Sequence, residues 1–275
     1  MAARYHSAVF IDIDGTLVGR DSFIPGSAAE AIATAQNEGY MIVLTTGRMY
    51  RSAVKEAARV NISADSPVIS FNGAFVAASG DANDVIHYEP VGGKLFAELI
   101  AALEKFERKD ITIFCYTPFE LFVDRENELL AEYVKRTGAK YNMVKSFADL
   151  GESPKVLALT GFETPELLLP LRAAVDEAFR GRLEYVNSFP NYLEITAAGV
   201  SKGLAVKKVA ERCGIDARRT YAIGDSFNDV QMFGAAAVSI AMGNSDDAVK
   251  KQAAFVTKRL EEDGISYAFK SFILK

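Results

Sequence analysis

An α/β fold, a doubly wound parallel sheet with an α+β unit inserted into it, is predicted by three features of the sequence. Short continuous apolar runs alternate with helical stretches over residues 7–71 and again over 201–252. Four of these runs end in polar clusters. The stretch between them mixes hairpin and helix signals with no regular alternation. Alternating strands and helices imply a parallel sheet covered on both faces, whose strands are continuously apolar because both sides are buried. At 275 residues the chain has length for about two domains.

Residues 7–14 (SAVFIDID) form an apolar run too short for a helix and flanked by Gly15, which makes a buried strand. Residues 26–38 carry apolar residues at helical spacing between Pro25 and Gly39, a start and a stop signal. Residues 41–45 are a second strand, Gly47 opens a helix through about residue 59, and residues 67–71 are a third strand. In the C-terminal part, residues 201–213 read as a helix with Ser201 as N-cap. Residues 220–224 and 236–241 read as strands, and 227–234 and 246–252 as helices. In the middle, 84–89, 111–115, 121–123, 155–160, 183–187 and 192–196 read as strands, and 93–107, 126–137 and 164–179 as helices. The expected organisation is a discontinuous core, 1–83 with 190–275, and an inserted α+β unit, 84–189, whose two ends leave the core at neighbouring points.

Composition excludes several functions. With 31 Lys+Arg against 36 Asp+Glu, the net charge of −5 is a poor match for nonspecific nucleic-acid binding. Two cysteines, Cys115 and Cys213, and two histidines, His6 and His87, cannot build a disulfide scaffold or a His- or Cys-rich zinc site. Both cysteines lie among apolar neighbours and read as core packing. No stretch approaches the ~20 apolar residues of a spanning helix, and the N-terminal apolar run ends in acids, unlike a signal peptide. Cytoplasm is the expected location and no membrane partner is expected. Any chemistry falls to carboxylates, Lys and hydroxyls.

Those groups gather where strands end, which in an open parallel sheet is the border of the ligand crevice. Asp12-Ile13-Asp14-Gly15-Thr16-Leu17 follows the first strand, and alternation would point both acids to one side. Two carboxylates so placed are costly without a cation or a shared proton. Thr45-Thr46-Gly47-Arg48 follows the second strand and offers hydroxyls and helix N-terminal amides to an anion, or a helix cap and a surface arginine. Phe71-Asn72-Gly73-Ala74 follows the third. Its Asn amide suits a substrate oxygen, and Asn-Gly is equally a hairpin signal. Lys202 stands in the first turn of a helix, where a cation opposes the helix dipole, so a negative group is expected before it. Gly224-Asp225-Ser226-Phe227-Asn228-Asp229 supplies further acids after the 220–224 strand, as metal ligands or as helix caps. Together they are the inventory for Mg²⁺-assisted phosphoryl transfer, with an aspartate able to act as nucleophile.

The order of these clusters resembles the four motifs of the haloacid dehalogenase (HAD) superfamily. Phe71-Asn72-Gly73-Ala74, Gly199-Val200-Ser201-Lys202-Gly203, Ala241-Met242-Gly243-Asn244 and Glu262-Asp263-Gly264-Ile265 resemble the Cof-type phosphatases, whose type IIB cap is inserted between motifs II and III. The resemblance implies a HAD-like, Rossmann-like core and a Mg²⁺-dependent phosphatase acting on small phosphate esters, sugar phosphates foremost, through an aspartyl-phosphate. It implies Asp12 as nucleophile and metal ligand. Asp14 would be general acid/base, with its backbone carbonyl on the metal. Thr46 and Lys202 would hold phosphoryl oxygens, and Asp225 would be a metal ligand. Asn228 and Asp229 would orient the metal shell or bind phosphate, and Gly47, Arg48, Asn72 and Gly73 would shape the substrate entrance. A phosphosugar mutase, which keeps the phosphoryl group, and a non-catalytic sugar-phosphate-binding regulator are the competing functions for the same fold.

Overall fold

The computed structural model describes residues 5–19, 22–105, 111–150, 157–162, 166, 168–186 and 192–274. Residues 106–107, 155–156, 164–165, 167 and 187, at the ends of predicted elements, lie outside that set. The chain divides into two compact units, residues 1–88 with 201–275, and residues 89–200.

The first unit begins with β1 (Ser7–Asp12), α1 (Gly26–Asn37), β2 (Tyr40–Thr45), α2 (Tyr50–Arg59), β3 (Pro67–Ser70), β4 (Phe75–Ala78) and β5 (Val85–Tyr88). The second unit contains α3 (Gly93–Leu103), β6 (Ile111–Tyr116), β7 (Leu121–Val123), α4 (Glu128–Thr137), β8 (Tyr141–Met143), β9 (Leu157–Phe162), α5 (Leu168–Phe179), β10 (Leu183–Val186) and β11 (Tyr192–Ala197). The first unit then resumes with α6 (Lys202–Arg212), β12 (Thr220–Gly224), α7 (Val230–Phe233), β13 (Val238–Ala241), α8 (Asp247–Lys250), β14 (Phe255–Val256) and α9 (Gly264–Ala268).

In the first unit the strands run in the order β14-β13-β12-β1-β2-β3-β4-β5. All pairs from β14 to β3 are parallel, and β3-β4 and β4-β5 are antiparallel. Every residue of β1 and β2 is buried, as expected for strands covered on both faces. One face packs Phe10, Met41 and Val43 against Val206 and Val209 of α6 and Met232 and Phe233 of α7. The alternate residues Val9, Ile11, Ile42 and Leu44 point to the other face and are fully buried; α1 packs on β2 and on α9. The alternation that predicts this class thus runs through the strands that carry the polar clusters.

Four expectations need correction. The 84–89 strand belongs to the core sheet as β5, because it pairs with β4, so the first unit extends to residue 88 rather than 83. The 192–196 strand lies in the second unit, because β11 pairs with β9 and β10, and the chain returns to the first unit at 201 rather than 190. The helix expected from Gly47 starts at Tyr50. The carbonyls of Thr46 and Arg48 accept from Asn72 N and Phe71 N at 3.0 and 3.1 Å, which holds that segment extended against the β3-β4 hairpin. The stretch 227–234 opens as a 3₁₀ turn over Phe227–Asp229 before α7. Asn72-Gly73 does lie in a hairpin, between β3 and β4, but in a four-residue loop, Phe71 to Ala74, rather than a two-residue turn, with Asn72 and Gly73 at positive φ (54° and 106°).

The second unit has its own sheet, ordered β10-β11-β9-β6-β7-β8. Its core joins Ile113, Cys115, Leu193 and Ile195 of the sheet to Leu99 of α3 and Val175 of α5, with Phe147 buried among them. Cys115 is therefore a packing residue, as expected. Among the described residues no helix is long and apolar enough to cross a membrane.

Candidate active site

β1 delivers Asp12 to the carboxyl edge of the sheet and ends there. The chain then turns tightly, with Ile13 O accepting from Leu17 N and Val18 N at 3.0 and 2.8 Å. Gly15 takes φ +83° in this turn, and a Cβ at that position would overlap Asp225 Oδ2. The early end of β1 separates the two acids of Asp-x-Asp. Asp12 meets Lys202, and Asp14 meets Arg48.

Lys202 starts α6, whose N-cap Ser201 accepts from Leu204 N at 3.0 Å. Its ammonium is fully buried and donates to Asp12 Oδ1 and Asp229 Oδ1, both at 2.6 Å. These are the acidic partners that a lysine at a helix start requires. Asp229 also closes the loop after β12, since its Oδ2 accepts from Asp225 N at 2.9 Å and Ser226 N at 3.0 Å. The cap reading of that loop is thus realised, and the same carboxylate faces the site. Thr16 donates to Asp225 Oδ1 at 3.0 Å, tying the β1 turn to the β12 loop.

Asp12, Asp225 and Asp229 bring carboxylate oxygens within 4.8 Å of one another, the one such group of metal-ligating types among the described residues. The Asp14 carboxylate is not in it, since Arg48 donates to both its oxygens, and Asp229, expected to orient the metal shell, brings the third carboxylate. Burial, and then the charge of Asp229, raise Asp12 well above the usual carboxylate range. The same two causes push Asp225 up to about 7. The carboxylates raise Lys202, which stays charged. Three acids around one ammonium leave negative charge uncompensated, and their hard oxygen donors suit a divalent cation such as Mg²⁺. The cluster fits a metal on donor chemistry and on the space that Gly15 leaves.

Arg48, expected at the substrate entrance, is buried (7% exposed) and committed. Its Nε and Nη2 donate to Asp14 Oδ2 and Oδ1 at 2.7 and 2.6 Å, a two-pronged grip. Its Nη1 donates to Glu56 Oε1 at 3.1 Å. Glu56 in turn accepts from Arg59 Nη1 at 2.6 Å. The chain as read from sequence gave no role to Glu56. The signal is present: an acid beside Ala53 and Ala57 on the buried side of α2.

Thr46 is buried, and its Oγ1 accepts from Arg48 N at 3.1 Å, so its hydroxyl proton remains free to donate. Thr45, in register with Asp12, has a buried hydroxyl with no hydrogen-bond partner among the described residues. Asn72 and Asn228 meet through an amide hydrogen bond at 3.1 Å. Gly73 packs so closely on the Ser201 carbonyl that a Cβ would overlap it, which joins the β3-β4 turn to the start of α6. Asn244 donates to Gly15 O at 2.8 Å and accepts from Leu260 N at 3.1 Å, bracing the β1 turn from behind. The structure therefore gathers Asp12, Lys202, Asp225 and Asp229 in one cluster, with Asp14 and Arg48 as a pair and Asn72 and Asn228 as another.

A family model for haloacid dehalogenase-like hydrolases matches residues 9–269. The 5-amino-6-(5-phospho-D-ribitylamino)uracil phosphatase YwtE of Bacillus subtilis is 29% identical, over 94% of this chain and 95% of its own. The pyridoxal phosphate phosphatase YbhA of Escherichia coli is 27% identical, over 97% and 98%. The solved structure of the HAD subclass IIB sugar phosphatase BT4131 superposes with a TM-score of 0.80 at 25% identity, covering 97% of this chain and 98% of that one. Similarity of this kind spans both units and every strand end that carries an acid, so the chain belongs to the haloacid dehalogenase superfamily, as a Cof-type phosphatase.

Proposed function

We propose that the protein hydrolyses phosphate monoesters of small metabolites, sugar phosphates foremost, with Mg²⁺ and through an aspartyl-phosphate on Asp12. The observation that carries this reading is the ammonium of Lys202 at 2.6 Å from both Asp12 and Asp229, inside a buried cluster of three carboxylates. A buried carboxylate held by a lysine, beside a site for a cation, is equipped to attack phosphorus.

Asp12 and Asp225, with the Asp14 backbone carbonyl, would hold Mg²⁺ and Asp229 would orient that shell; the ion when bound would offset the charge of the phosphoryl group and of the acids around it. Lys202 fixes the Asp12 carboxylate and faces a phosphoryl oxygen. The Thr46 hydroxyl, whose lone pair is taken by Arg48 N, donates its proton to a second phosphoryl oxygen. One oxygen of Asp12 bonds to phosphorus as the bond to the leaving oxygen breaks. That oxygen keeps the electron pair and takes a proton from Asp14. Asp14 then removes a proton from water, whose oxygen attacks the aspartyl-phosphate. Inorganic phosphate leaves and Asp12 returns to a carboxylate.

The named relatives act on chemically different leaving groups, a ribityl-pyrimidine, a pyridoxal and sugars. They share the phosphate monoester, which supports assigning the cluster to the phosphate. The preference for sugar phosphates rests on the subclass IIB likeness. Purified protein with Mg²⁺ is expected to release phosphate from p-nitrophenyl phosphate, and in a metabolite screen to favour sugar phosphates by kcat/KM. Asp12→Asn and EDTA are each expected to abolish release. Activity that survives either one sinks the mechanism, and a mutase would convert a hexose 1-phosphate without releasing phosphate.

A further inference from the structure

Glu56 is a carboxylate buried outside the acidic cluster, at 8% exposure. It bridges two arginines, Arg48 Nη1 at 3.1 Å and Arg59 Nη1 at 2.6 Å. Arg48 spends its other edge on both oxygens of Asp14. Arg59 donates through Nη2 to Ser22 O at 2.6 Å. The result is a row of alternating charge, Asp14, Arg48, Glu56, Arg59, that runs from Asp14 to the exposed Arg59.

Stability alone is a weak account of this row. Taking charges out of water is costly, and a whole buried ion pair can often be replaced by apolar side chains of similar volume without loss. Local rules broken in this way concentrate at functional sites. The hydrogen bonds show what Glu56 does. A guanidinium held only by Asp14 can pivot about that contact, whereas one held at its opposite edge cannot.

We propose that Glu56 is a positioning residue for proton transfer at Asp14. It fixes the plane of Arg48, so that both N–H groups stay on the Asp14 carboxyl and this group meets the leaving oxygen in one orientation. The proposal rests on the reading of Asp14 as general acid. In the step concerned, the Asp12–phosphorus bond forms and the bond from phosphorus to the leaving oxygen breaks. The leaving oxygen keeps the electron pair and takes the Asp14 proton, and Asp14 is left as a carboxylate in the grip of Arg48. No other reactant is needed.

Two aryl phosphates of similar shape test it. p-Nitrophenolate departs without a proton, whereas phenolate, a poorer leaving group, gains from one. kcat/KM covers events up to departure of the leaving group, so the later attack of water does not enter. Glu56→Gln is expected to lower kcat/KM for phenyl phosphate about tenfold and for p-nitrophenyl phosphate less than about twofold, a loss of the size that small misplacements cause. An equal loss on both substrates, as general structural damage would give, overturns the proposal, and so does no loss. Should E56Q fail to fold, Arg59→Gln loosens the row from its exposed end, at a side chain 42% exposed, and the same selective loss is expected. Equal or absent loss in R59Q then overturns the proposal. Asp14→Asn, assayed alongside, separates the two ideas. If it does not discriminate between the substrates, the reading of Asp14 fails. If it discriminates and the Glu56 variant does not, the role of Glu56 fails.

Discussion

Asp12, Asp225 and Asp229 crowd their carboxylates within 4.8 Å of one another, and Lys202 donates to Asp12 and Asp229 but not to Asp225, so the stability of the metal-free site depends on pH. An unfolded aspartate titrates near ~3.9, whereas Asp225 in the folded protein is pushed up to about 7 by burial and by Asp229. Between these values the folded state binds more protons than the unfolded one. Stability therefore falls as pH rises through this window, and the loss is complete above about 7. Thermal unfolding in chelator is expected to give a lower Tm at about pH 7.5 than at about pH 5.5. Asp225→Asn should remove that share of the difference, and saturating Mg²⁺ should reduce it. A Tm that rises with pH across this window would contradict the charge assignment. At this scale much was legible in the sequence, because acids at strand ends and a lysine at a helix start break ordinary preferences. The partners were less legible. The Asp14 carboxylate turns to Arg48, since β1 ends at Asp12, two residues before it, and Asp229 brings its carboxylate close to Asp12 and Asp225 instead. The buried Arg48–Glu56 contact joins residues before and within α2 and depends on how that helix is oriented.

At the scale of elements, turns fix the geometry more than strands do. The β1 turn, the β3-β4 hairpin, the start of α6 and the loop after β12 are held together by Gly15 against Asp225, Gly73 against Ser201 and Thr16 on Asp225. Gly15→Ala places a methyl group where Asp225 Oδ2 lies, at a φ of +83° that a Cβ disfavours. The variant is expected to fold but to bind Mg²⁺ more weakly, with titration calorimetry showing at least about a tenfold rise in Kd, in the range seen when groups supporting a metal site are lost. Unchanged affinity would remove the β1 turn from the metal site. The long buried strands were legible from apolar runs alone. The two-residue β14, with both residues exposed, and the three-residue β8 were not, because such short strands exist only through their neighbours. β4 was hidden in plain view as the second arm of the Asn72-Gly73 hairpin.

For the whole molecule, the two units carry separate cores, and this division has a measurable side. Phe147 is 1% exposed within the second unit's core. Phe147→Ala is expected to cost about 3–5 kcal/mol, read by denaturant unfolding, while Mg²⁺ affinity stays at the wild-type value. A coupled fall in metal affinity would mean that the units do not hold their structures separately. The discontinuous organisation was legible as a change of texture, but its joints were not, because β5 and β11 look alike in sequence and only their pairing partners assign them. The sheet order has a consequence for synthesis. β1, which bears Asp12, is flanked by β2 on one side and by β12 on the other. During translation, the strand that carries Asp12 waits with one edge bare until residue 224 has followed it, an interval of roughly 10–40 s at ~5–20 residues per second. Throughout that time the second unit is completed while the first is half a sheet. The newborn chain therefore passes through a stage with an apolar edge open to wrong partners, and the acidic cluster can form only once Asp229 has been made.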